Sequence, residues 1–289
     1  MTDFAAYSIP AAFAAFVWWS STGAILFLDG LPRRTFPWSM AGASLLLVLA
    51  LVGLDASSRE TTVTAAYQAF FCAVIVWGWL EMSFLMGFII GPRRSLSHPP
   101  TEGFQRFRNA TEAIAYHEFA LVIAAAIVVF LTWQAPNLVG TQTFAVLWLM
   151  RFSAKLNLFL GVPNLSAELL PEHLSHLRQY LTRRPMNLLF PVSVSAASVV
   201  ATHLVAATFD ATPGSFEATG LALVSTLLVL AILEHWFMVV PLNGAKLWLW
   251  SLQPERRSRV AGEDGTPPAN RLSAEVSTLP RRRPRRELH

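Results

Sequence analysis

Apolar residues run through this chain in seven blocks, at about 9–28, 38–54, 64–90, 112–133, 142–161, 190–209 and 218–240. Most are close to the roughly 20 residues that a helix needs to cross a bilayer. The breaks between them carry turn chemistry: Asp29-Gly30-Leu31-Pro32, Gly91-Pro92, Pro136-Asn137, Gly161-Val162-Pro163 and Thr212-Pro213-Gly214. The pattern predicts an all-α, polytopic membrane protein with seven transmembrane helices. Block 38–54 is short for a span, and block 64–90 is long enough to tilt or to reach past the lipid.

One connection is patterned rather than merely polar. Within residues 166–184, Leu170, Leu174, Leu177 and Leu181 recur at helical spacing, and Pro171 suits a first helical turn. Basic residues gather at the far end of this segment. The expectation is a short amphipathic helix lying at the cytoplasmic interface, bringing Glu168, His173 and His176 to that side.

Composition agrees with the blocks. The chain is 54% hydrophobic and 14% charged, where soluble domains carry about a quarter charged residues. Signatures of soluble enzymes (GxGxxG, a Walker loop, HExxH, GxSxG) are absent. Its single cysteine, Cys72, allows no internal disulfide and no Cys-based metal site. Of the 22 Lys and Arg residues, 19 fall in the first, third and fifth connections and in the segment after the last block. Arg59 alone falls on the other side, and Arg151 and Lys155 lie inside a block. The positive-inside rule then sets the N-terminus outside and the C-terminus in the cytoplasm. Asp3, with no basic residue before the first block, fits an uncleaved signal anchor rather than a cleaved secretory signal.

These features divide the chain into a transmembrane bundle over residues 1–253 and a basic cytoplasmic tail over 254–289. The tail is rich in Arg, Pro, Ser and Gly, and its composition predicts disorder. The run Arg281-Arg282-Arg283-Pro284-Arg285-Arg286 is suited to anionic headgroups, although a solvated tail that holds orientation explains it as well. No fold or aromatic interleaving supports nucleic-acid binding. Membrane lipids are the partners that composition implies.

Ionisable residues inside the blocks change the picture. Glu81, His117 with Glu118, Arg151 with Lys155, and Glu234 with His235 interrupt otherwise apolar sequence, and Asn157 adds an amide. At 1.5 Å of rise per residue, His117, Lys155 and Glu234 fall ~10 Å from the cytoplasmic ends of their blocks, and Glu81 and Arg151 ~15 Å. His203 falls near the outer face. Intramembrane charges are costly, so such residues face the bundle interior, pair with one another and mark functional sites. The expectation is one polar pocket toward the inner leaflet.

Three readings of that pocket are open from the residues. An ion-pair network, with Arg151 and Lys155 on one helix face against three carboxylates, would fix helix packing. A metal centre would draw on Glu81, His117, Glu118, Glu234 and His235, with Glu168 and His176 as additions. It lacks the Glu-x-x-His spacing of di-iron bundles, and Arg151 and Lys155 would repel the ion. A tetrapyrrole would be held by neutral His117 or His235. In the metal reading the protein is a membrane-embedded, metal-dependent enzyme acting on a lipophilic, tetrapyrrole-like substrate.

Several longer strings carry a resemblance. They are Trp18-Trp19-Ser20-Ser21-Thr22-Gly23, Trp77-Gly78-Trp79-Leu80-Glu81, Tyr116-His117-Glu118, and the run from Ser153 through Lys155, Asn157 and Gly161 to Asn164. Met186-Asn187 with Leu189-Phe190-Pro191, and Leu233-Glu234-His235-Trp236-Phe237-Met238, continue the series. Over roughly residues 10–250 the chain resembles the PuhE family, photosynthetic complex assembly proteins of phototrophic bacteria. The resemblance implies a multi-pass protein of the bacterial inner (intracytoplasmic) membrane. Such a protein assists assembly of the reaction centre and light-harvesting complexes, or modulates bacteriochlorophyll supply to them. Its partners would be subunits of those complexes or pigment-synthesis proteins, and its ligand bacteriochlorophyll or a precursor. No catalytic residues come with the resemblance.

Overall fold

A computed structural model describes residues 3–95, 102–242 and 244–262. Eight α-helices form: α1 Asp3–Asp29, α2 Phe36–Ser58, α3 Val63–Leu85, α4 Gly103–Leu131, α5 Val139–Leu160, α6 Leu189–Asp210, α7 Phe216–Phe237 and α8 Pro254–Gly262. The first seven are long and apolar enough to cross a membrane. There is no β-strand among the described residues, only an isolated parallel bridge between Val162 and Arg183.

Local chemistry sets several helix ends. The Thr62 hydroxyl accepts from the Ala65 N–H at 3.1 Å and opens α3, and Ser215 does the same for α7 through the Ala218 N–H. Pro37, in the first turn of α2, loses no helical hydrogen bond there. α3 stops at Leu85, short of the apolar block's end at 90, because the chain turns at Gly87 with φ +85°. Residues 86–91 then fold back onto α4. The Ile90 carbonyl accepts the His117 N–H at 3.1 Å, and Gly91 sits where a Cβ would lie 2.2 Å from the Glu112 carbonyl oxygen.

α3 and α7 are the most enclosed helices and touch each other. α1 and α5 each pack on both of them, α2 and α4 lie against α3, and α6 lies against α7. The main core, which includes Ala14, Val17, Phe70, Trp77, Leu80, Phe144, Leu223 and Leu227, fills the space between these helices.

The arginine-rich end of the bundle carries a second layer. The segment from Ala167 to Tyr180 is 3-10 helix, in two pieces (Ala167–Leu169 and Glu172–Tyr180), where the leucine spacing predicts an α-helix. Three residues per turn put Leu174, Leu177 and Tyr180 on one face, and these are the residues that pack on Phe84, Ile90 and Ala113. α8 closes over the end of α1: Val260 is buried with Leu26, Trp248 and Leu252, and Arg256 pairs with Asp29 at 2.6 Å. Residues 254–262, expected to belong to a disordered tail, are thus helical. The rest of that tail, with its arginine run 281–286, lies outside the described residues.

Candidate functional site

The sequence-selected charges sit on four of the helices around the core. Arg151 on α5 donates to Glu81 on α3 at 2.9 Å. One turn further along α5, Lys155 reaches Glu118 on α4 at 2.6 Å. Spacing of four residues puts both cations on one helix face, yet each takes a carboxylate from a different neighbour. Their distances from the helix ends differ from the sequence expectation. Glu81 is four residues, or ~6 Å, from the end of α3, and His117 is 14 residues, or ~21 Å, from the start of α4. The helix ends are staggered, and the stagger sets the bonded groups at a common height.

Glu234 on α7 accepts a 3.0 Å hydrogen bond from the Trp18 indole N–H on α1. It lies within electrostatic reach of Arg151. Nothing in a single indole marks Trp18 as a carboxylate partner by sequence. His235 points elsewhere, as its adjacency to Glu234 requires on a helix with 100° per residue. Its Nδ1 faces the Ala231 carbonyl at 2.8 Å, which can only accept, so that nitrogen carries the proton. Nε2 then accepts from the Ser153 hydroxyl at 3.0 Å. Asn157 donates to the Ser153 carbonyl, and its Oδ1 is buried with no partner.

His117 is fully buried, with its ring 4.5 Å from that of Phe84. Neither ring nitrogen has a hydrogen-bond partner, and the same holds for Glu81 Oε1. Orphaned buried polar atoms in a native core need an explanation. Glu81, Arg151 and Lys155 all lie within electrostatic reach of His117. His176 is buried in the second layer, outside this cluster, and His173 donates from Nε2 to the Leu85 carbonyl at 2.8 Å. Glu168 lies in the short 3-10 turn, and its side chain is outside the described residues.

Two of these side chains expose surface where the helix periodicity says they should be enclosed. Glu234 follows Leu223 and Leu227 at spacings of 11 and 7, which places it on their helix face, and both leucines are inaccessible. Arg151 follows Gly140 and Phe144 in the same way, and both are buried. Even so, Glu234 is exposed and the Arg151 side chain is 44% exposed. Inward-facing residues with open surface line a crevice. This one has Arg151 of α5 and Glu234 of α7 on its walls, with Trp18 of α1 bonded to Glu234 and Glu81 of α3 bonded to Arg151.

The donor set does not suit a metal. Glu81 and Glu118 are committed to cations, and among the described residues no three of His, Cys, Asp and Glu gather as metal ligands. A tetrapyrrole does not fit on either imidazole. His117 is sealed behind Phe84, and His235, 2% exposed, has its accepting nitrogen on Ser153.

Fold and site together define a multi-pass helical membrane protein with a charged interior crevice. Residues 4–259 match a family described as protein of unknown function (DUF3623), and the chain belongs to it. It is also 40% identical over 242 residues, 82% of this chain and 88% of the relative, to a Rhodobacter capsulatus protein. That relative is described as an uncharacterized 30.4 kDa protein in the puhA 5' region. No solved structure matches.

Proposed function

We propose that this protein is a membrane factor of the PuhE kind. It assists assembly of the photosynthetic reaction centre and light-harvesting complexes, or modulates bacteriochlorophyll supply to them. The relative in the puhA 5' region is the observation that carries this reading. The geometry adds a constraint. His117 and His235 are both occupied by packing or hydrogen bonding, so pigment handling would not run through direct ligation by either in this arrangement. Action on subunits, or on a ligand held in the crevice, is the form that the site supports.

The protein would sit in the bacterial inner (intracytoplasmic) membrane with its arginine-rich end in the cytoplasm, as the 19-to-1 distribution of basic residues favours. Reporter fusions at residues 60 and 185 would check this, the first active outside and the second inside.

Deleting the gene in its phototrophic host should lower the near-infrared absorbance of assembled complexes. The wild-type gene should restore it, and a gene carrying Arg151→Gln with Glu234→Gln should restore it only in part. Unchanged spectra and unchanged growth in the light after deletion would reject the role.

A further inference from the structure

Arg151 presents five N–H donors, and one of them is used, on Glu81 Oε2. The other four have no partner among the described residues, and the Arg151 side chain is 44% exposed. Beside it, Glu234 uses Oε1 on the Trp18 N–H. Glu81, 7% exposed, keeps an unpartnered Oε1 at the same guanidinium. These groups sit on helices that are long and apolar enough to cross a membrane. A guanidinium fork with free donors asks for a planar oxyanion, which it grips with two parallel hydrogen bonds. A site set among membrane-length apolar helices asks for a hydrocarbon body behind that head.

We propose that the crevice walled by Arg151 and Glu234 binds the carboxyl group of a lipophilic carboxylic acid, with Arg151 holding the carboxyl oxygens and Glu234 sharing a proton with it. The charges select this class. Glu81, Glu118 and Glu234 face Arg151 and Lys155, so the cluster carries one excess negative charge when all are ionised. A second bare anion at Glu234 would be repelled. Two carboxyl groups of similar proton affinity resolve that repulsion by holding one proton between them, so the ligand enters together with a proton. A phosphodiester head stays ionised at any physiological pH and has no such recourse.

Desolvation acts most on the Glu234 carboxyl, and the charged groups that face it are Arg151 from α5 and Glu81 from α3. α1 adds the Trp18 N–H but carries charged residues only at its ends, Asp3 and Asp29. α6, which packs on α7, has its ionisable residues, His203 and Asp210, in the half near the opposite end. Binding should therefore tighten as pH falls from 8 to 6. This inference stands on the crevice alone and does not depend on any photosynthetic role.

The test uses the full chain in nanodiscs of phosphatidylcholine and the fluorescent probe 11-(dansylamino)undecanoic acid. The acid should bind saturably, and its methyl ester at least about tenfold more weakly, because the ester loses the charge-assisted pair. Glu234→Gln should keep binding, through its amide N–H, and lose the pH dependence seen with wild type. Arg151→Gln should weaken the acid about tenfold or more. If that variant fails to fold with Glu81 left unpaired, Glu81→Gln with Arg151→Gln gives a neutral pair in which the same loss is expected. Equal binding of acid and ester, or wild-type affinity in the double variant, overturns the proposal. Competition by dodecyl phosphate as strong as that by dodecanoic acid moves the site to phosphate heads and overturns the carboxylate assignment.

Discussion

The two ends of the bundle carry the same chemical groups and use them in opposite ways. At the end holding Arg59, the charges stay outside: Asp55 and Arg59 pair at 2.8 Å, four residues apart on one helix, with side chains 38% and 71% exposed. Order at this end comes from a neutral group. The buried Asn137 amide donates to the Ser57 and Ala65 carbonyls at 2.9 and 3.2 Å, and its oxygen accepts the Val139 N–H at 3.1 Å. One side chain thereby ties α2, α3 and the start of α5 together through their backbone groups. At the arginine-rich end the cations turn inward, and Arg151 meets a Glu81 carboxylate that is 9% exposed. Amide hydrogen bonds would fix helices at less desolvation cost than buried charges, since a buried ion pair stabilises poorly against an apolar replacement. The arginine-rich end has such amides as well, Asn164 donating to the Phe237 carbonyl and Asn187 to the Asn157 and Gly161 carbonyls, so its inward charges come in addition to that device and not in place of it.

The comparison breaks most directly at Arg151. Arg151→Met leaves Glu81 unpaired in a water-poor site and should cost about 3–5 kcal/mol, read as a large drop in thermal midpoint in detergent. Adding Glu81→Gln should recover most of that loss, because the neutral pair no longer carries a buried charge. If the double variant is as unstable as the single one, the pair acts through shape and not charge.

Asn137→Ala comes next. It strips partners from two carbonyls and one N–H, for about 1–3 kcal/mol. The loss should be insensitive to salt and, unlike that at Arg151, should have no single compensating substitution. A recovery by charge changes elsewhere at that end would erase the distinction.

These contrasts also show what a sequence can carry. The seven spans were legible because bilayer crossing needs long apolar blocks, and length plus hydropathy report that directly. The end of α3 was not, since residues 86–90 are as apolar as a helix interior and the turn rests on the positive φ of Gly87. Nor was the 3-10 form of Glu172–Tyr180: leucines at 170, 174, 177 and 181 fit an α-helical stripe, while the buried set 174, 177 and 180 fits three residues per turn. Rarity made the interior charges conspicuous. Their partners depended on helix neighbours and stagger, which periodicity does not encode, so Glu81 with Arg151 and Glu118 with Lys155 had to be seen. Trp18 and Ser153 gave no signal at all, because their role exists only opposite Glu234 and His235.

Acid separates the ends more gently. Burial pulls His173 and His176 below the usual imidazole value, although the hydrogen bond from His173 to the Leu85 carbonyl works against it. Folding thus favours neutral rings. Their contribution is present above about pH 6.5, where the unfolded chain also holds them neutral, and is lost as pH falls through that value and then through the lower folded one. Hydrogen exchange, corrected for intrinsic rates, should show the Phe88 and Ile89 amides, both bonded to the Ser83 carbonyl, losing protection between pH 7 and 5. The Asn137 amide, bonded to the Ser58 carbonyl at the other end, should keep its protection. Equal loss at both ends would make the effect global and detach it from these histidines.

The smallest effect belongs to the exposed pair. Arg59→Ala removes an ion pair between side chains that water already solvates, so stability should fall by no more than about 1 kcal/mol. Salt should shrink even that, because exposed charges are screened over ~8 Å at physiological ionic strength. The Arg151 loss should survive the same salt, since Glu81 is largely shut away from solvent ions. Thermal midpoints of both variants at low and high salt therefore place the two pairs on one scale. If Arg59→Ala costs as much as Arg151→Met, or if high salt abolishes both losses, the inner pair is solvated like the outer one, and the case for a special interior charge falls with it.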